Sequence, residues 1–182
     1  FDLFGIIDLN DKPKRFFSEQ KIVDFKKTWY IRDEVKNELD HPDLKYLKAF
    51  EEKYGINLWS IAFAERKFYR EFNEYYDFEY NEILSILEKE CKFYESILSE
   101  INPNFLLISA TDWHHMYLLT EMCKSKKIKV LMLDLAKIGK KCRLNDDFEY
   151  STTKKESNSL RTFNELQNYL KNESRASQAK AE

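Results

Sequence analysis

Two short, mainly apolar runs, "FLLISA" (105–110) and "IKVLMLDL" (128–135), stand on either side of a helix-length segment from about Trp113 to Lys126. Runs this short, without polar alternation, suit strands covered on both faces, as in parallel sheets. Two such strands joined by one helix make a strand–helix–strand unit, whose crossover is right-handed by rule. The pattern predicts an α/β fold. "FDLFGIIDLN" (1–10) is a third compact apolar run, expected to be a buried strand that "DKPK" then breaks. The chain opens on Phe1 inside that run, as a cut fragment or an engineered chain would.

Helical spacing and punctuation fill in the rest. "FFSEQKIVDFKKTWYI" (16–31) is expected to form a helix with Phe17, Ile22, Phe25 and Trp29 inward. After His41-Pro42-Asp43, Leu44, Leu47, Phe50 and Tyr54 recur at helical intervals. Gly55 follows where a left-handed residue ends a helix, and Ile56 is placed to pack back on it. Asn57 is expected to cap a further helix, paired with the first as a hairpin, that runs to about Tyr75 and carries Trp59, Ala62, Phe63 and Arg66. From Tyr80 to Ile101, a stripe of Ile83, Leu84, Leu87, Cys91, Tyr94, Leu98 and Ile101 predicts a long amphipathic helix. Between Glu71 and Glu100 there are nine acids against two lysines, expected to form a solvated face. Asn102-Pro103-Asn104 ends this helix. Beyond Asp146 the chain turns polar. A linker, an amphipathic helix carrying Leu160, Phe163, Leu166, Tyr169 and Leu170, and a disordered tail are expected over 151–182, after one domain over 1–150.

Several function classes fall away. The net charge of -2 recruits neither nucleic acid nor anionic lipid. No apolar run approaches the ~20 residues that span a bilayer. Cys91, Cys123 and Cys142 are odd in number and widely spaced, as in reduced cytosolic thiols, and they show no zinc spacing. With three glycines, Gly5, Gly55 and Gly139, no Gly-rich phosphate loop can be written.

Polar chemistry gathers where the first strand of the central unit ends. Thr111-Asp112-Trp113-His114-His115 holds two of the three histidines. In open α/β sheets, ligands bind outside the carboxyl ends of the strands. The segment leaving "IKVLMLDL" lies on that same edge and carries Lys137, Lys140, Lys141 and Arg143, suited to a phosphate or other anion or simply to solvation. Asp112 is placed to cap the following helix, to orient a base, or both. His114 and His115 are helix neighbours about 100° apart, which argues against their sharing a metal, and no metal site is expected. One of them facing the cleft suits a general base. Trp113 is available to pack or to stack on a substrate, and Arg66 of "AERKF" to approach the cleft.

Three blocks, "KYLKAFEEKYGINLWSIAFAERKFY", "EILSILEKECKFYESILSEINPNFLLI" and "KIKVLMLDLAKIG", with the histidine-bearing turn between the last two, resemble the N-terminal half of capsule-type surface polysaccharide biosynthesis proteins, which are glycosyltransferase-like. The resemblance runs from about residue 2 to residue 150. It implies a Rossmann-like three-layer sandwich with a mostly parallel sheet and additional helices, forming the acceptor-side half of a two-domain GT-B arrangement. The nucleotide-sugar donor would sit on a second domain, with no cofactor or metal in this one. Transfer to a glycan hydroxyl would use His114 or His115 as base, Asp112 to orient it, and Lys137 with Lys140 across the cleft. The implied setting is cytoplasmic, with peripheral or assembly contacts at the inner membrane face. The absent Gly-rich loop and second domain favour an alternative, a noncatalytic α/β binding or assembly module. A flavodoxin-like small-molecule enzyme ranks third.

Overall fold

The structure is a computed structural model and describes residues 2–9, 11–35, 41–68, 76–109, 113–135 and 142–145. The fold is mixed α/β. β1 (Phe4–Ile7) leads through α1 (Asp11–Ser18) to β2 (Lys27–Tyr30), and the two strands pair in parallel, Phe4 opposite Lys27 and Ile7 opposite Tyr30. The helix expected over 16–31 is therefore corrected. "DKPK" opens α1 instead of breaking the chain, because a proline in the first helical turn forfeits no intrahelical bond. Thr28, Trp29 and Tyr30 are β-branched and aromatic, and they extend as a strand. Gly5 allows the close approach of β2: a methyl group there would lie 3.3 Å from the side chains of Phe25 and Thr28. Ile22, expected inward, is 92% exposed.

α2 (Ile31–Val35) continues from β2 and packs on α5 (Tyr80–Ile101). Between them in sequence come α3 (Leu44–Tyr54) and α4 (Leu58–Ala64); both pack on α6 (His114–Ser125), and α3 also on α5, rather than chiefly on each other, so the expected hairpin is corrected. The Asp43 carboxylate accepts the amides of Lys45 and Tyr46 at the start of α3, and Gly55 ends it at φ 67°. Asn57 caps α4 by accepting the amide of Ser60. α4 stops at Ala64, well short of Tyr75. Glu65 is extended and a short 3-10 turn, Arg66–Phe68, follows. Leu44 and Phe63 are exposed. α5 begins in a reciprocal Glu79–Glu82 capping box and ends on Asn102 in a left-handed conformation.

β3 (Phe105–Ser109), α6 (His114–Ser125) and β4 (Lys129–Leu135) form the second parallel unit, with Phe105 opposite Lys129 and Ser109 opposite Leu133. β5 (Cys142–Asn145) adds antiparallel to β4. The core joins α3, α4, α5 and α6 to the inner faces of β3 and β4, with Phe50, Ile61, Leu87, Tyr94, Leu118 and Met122 at its centre. Ile6 and Trp29 bring β1 and β2 against it. The opposite face of the β3–β4–β5 sheet is not covered as expected. Leu107 is 56% exposed and Leu133 44% exposed, with Phe105 and Leu144 beside them. Nor is the acidic side of α5 simply solvated. Glu95 accepts from Tyr46 Oη, Tyr54 Oη and Lys53 Nζ, and Glu88 accepts the amide of Asp43. Among the described residues, no helix is long and apolar enough to cross a membrane. Cys91 and Cys123 are buried free thiols and Cys142 is an exposed one. The linker, helix and tail expected over 151–182 lie outside the described residues.

Candidate functional site

The two histidines begin α6, directly after β3, and the carboxyl end of β1 comes to meet them. His114 is held from both sides. Its Nδ1 lies 2.6 Å from Glu65 Oε2, and the same oxygen accepts its main-chain N–H at 3.0 Å. Its Nε2 lies 2.9 Å from Glu90 Oε1. Glu65 comes from the end of α4 and Glu90 from the middle of α5, and each is only 3% exposed. The Phe68 ring, 4.8 Å away, covers the imidazole.

A carboxylate only accepts hydrogen bonds, so with one on each ring nitrogen His114 carries both hydrogens and is an imidazolium. Burial disfavours that charge, but Glu90 and Glu65 outweigh burial and hold the pKa up at about 9. His114 is thus a cation at neutral pH with both nitrogens engaged, and in that state it has no lone pair to offer as a base.

His115 is different. Its side chain is largely buried, and its Nε2 lies 3.6 Å from Asp8 Oδ2. Burial lowers its pKa and the neighbouring His114 cation lowers it further, with Glu90 and Asp8 offsetting only part. It is neutral at neutral pH, with a lone pair to offer. Asp8 follows β1, and its other oxygen accepts from Arg32 Nε at 2.5 Å, which fixes the carboxylate from α2. Tyr94 is fully buried; burial first, then Glu90 and Asp8, keep its hydroxyl protonated.

The ends of β1 and β3, which belong to separate sheets, therefore meet at His115; the edge expected from the sequence was that of β3 and β4, and residues 136–141, which leave β4, lie outside the described residues. Ring nitrogens of both histidines and a Glu90 oxygen all lie within 4.8 Å of one another, although the two rings stand nearly perpendicular at 88°. Trp113 occupies the cap position of α6 without a side-chain cap bond and is half-exposed; the carboxylate that receives an amide there is Glu65. Arg66 is exposed and adjoins Glu65 in sequence. Asp112, Lys137, Lys140 and Lys141 lie outside the described residues, and Arg143 pairs through its backbone with Asp134.

Four residues of this cluster, Asp8, Arg32, Glu65 and Glu90, escaped the sequence analysis. One signal was available for Glu90. It stands three residues after Leu87 and four before Tyr94, so a carboxylate shares the helical stripe of the core. Glu65 gave no such signal, because its burial depends on α4 ending one residue earlier. Compared with known proteins, the chain matches no family model, no curated protein and no solved structure.

Proposed function

We propose that this chain is the acceptor-side domain of a glycosyltransferase-like protein of surface-polysaccharide assembly, with His115 as the base that deprotonates the acceptor hydroxyl. The observation that carries the proposal is the His115–Asp8 pair, which joins the carboxyl ends of β1 and β3 from two parallel strand units. A neutral imidazole next to a carboxylate fixed by Arg32 takes a proton near neutral pH and shares the resulting charge with Asp8. In this proposal the two sheets belong to one Rossmann-like layer, whose open face the full-length protein covers. A nucleotide-sugar is presented by a second domain, and Lys137, Lys140 and Lys141 meet its phosphates. The resemblance of residues 2–150 to capsule-type biosynthesis proteins supplies the substrate class.

The test is polymer synthesis in cells whose full-length protein carries His115→Ala. A loss of about a hundredfold or more is expected for a missing general base; synthesis at the normal rate overturns the assignment. A noncatalytic binding module is the second possibility, favoured by His114, whose imidazole is wholly committed to two glutamates. Nucleotide-sugar and acceptor oligosaccharides distinguish the two: acceptor binding without turnover by the full-length protein would favour the module.

A further inference from the structure

Acid–base chemistry at His115 does not call for two buried glutamates on its neighbour. Glu90, His114 and His115 each offer a ligand atom, and these lie within 4.8 Å of one another in an enclosed setting. The second oxygen of Glu90, Oε2, is buried and has no hydrogen-bond partner among the described residues. A buried carboxylate oxygen without a donor is costly and calls for a cation. Glu65 on Nδ1 of His114 is the outer carboxylate that metal-bound histidines commonly carry: it orients the ring so that Nε2 points at the ion.

We propose that Glu90, His114 and His115 form a binding site for a divalent transition-metal ion of the zinc class. The ion takes the place of the hydrogen on His114 Nε2, which leaves as a proton to solvent. Two glutamates and one imidazolium carry one net negative charge; two glutamates, a neutral imidazole and a divalent ion carry none. Two nitrogens and a carboxylate suit zinc or cobalt better than magnesium or calcium, and three protein ligands leave a coordination position open. His114 Nε2 and Glu90 Oε1, now 2.9 Å apart, need only a small rotation of the glutamate to admit ligand bonds of about 2.0–2.2 Å. The site goes beyond the acid–base proposal and stands without it. A bound ion takes the lone pair of His115, so metal binding and base function exclude each other at that residue.

The test uses the full chain without an affinity tag, stripped with a chelator and titrated with Co2+. A visible ligand-field band saturating at one ion per chain and abolished by Zn2+ is expected. Glu90→Gln and His115→Asn should each weaken Co2+ binding by more than a hundredfold, and Glu65→Gln by about ten- to a hundredfold. Circular dichroism checks that each variant is folded, and His115→Asn, altering the most accessible ligand, serves if Glu90→Gln is not. Absence of the band, or unchanged affinity in the folded variants, overturns the proposal. That failure leaves the base assignment standing, whereas unchanged polymer synthesis with His115→Ala would sink the base and not the metal site.

Discussion

His114 keeps a positive charge in a place where burial alone would remove it, and stability must therefore depend on pH. Its folded-state pKa of about 9 lies above the ordinary 6.5. The stabilisation is fully present below 6.5 and is lost as pH rises through about 9. In chelator-treated protein, the unfolding free energy should fall by on the order of 3 kcal/mol across that window. His115 works in the other direction: its lowered pKa makes stability fall as pH drops below its ordinary 6.5. The maximum should thus lie near neutrality. Urea unfolding at a series of pH values checks both limbs, and in His114→Gln the alkaline decline should disappear. Half of this site could be read from the chain. The histidines announced themselves as a polar interruption between apolar runs. Their carboxylate partners did not, because Glu65 and Glu90 come from other helices and look, in a charge-rich sequence, like any solvated glutamate.

The helices that carry the site are defined by local chemistry at their ends. Asp43→Ala removes the acceptor for two amides at the start of α3 and should cost about 1 kcal/mol. Gly55→Ala places a methyl group in open space but holds a non-glycine residue at φ 67°, for about 1–2 kcal/mol. Thermal melts of the two variants should show comparable, roughly additive losses, because their interactions lie at opposite ends of the helix. Caps of this kind are why α3, the start of α4 and α5 were predictable: Asp43, Gly55, Asn57 and Asn102 act within a few residues of themselves. The segment from 16 to 31 was not, because Phe17, Ile22, Phe25 and Trp29 fit helical spacing equally well. What decides for a strand at Trp29 is β1 alongside it, a partner more than twenty residues away in sequence.

Across the molecule, apolar residues fall into two populations that sequence alone does not separate. Leu87 is wholly enclosed where α5 meets the other helices, and Leu87→Ala should cost about 2–5 kcal/mol. Leu107 and Leu133 lie on the open side of the β3–β4–β5 sheet, and Leu107→Ser should change stability by no more than about 0.5 kcal/mol. Denaturant midpoints measured side by side test the contrast. Periodicity made both residues look like core, since a mainly apolar strand does not say which of its faces is covered.

Glu65 has one last consequence. A single oxygen at the end of α4 grips both the main chain and the ring of the first residue of α6. Amide hydrogens in the opening turn of a helix ordinarily trade with solvent freely. That of His114 should instead exchange only when α4 lets go. Its deuterium uptake should then keep time with Ile61 and Glu65, about fifty positions upstream, rather than with its neighbour His115.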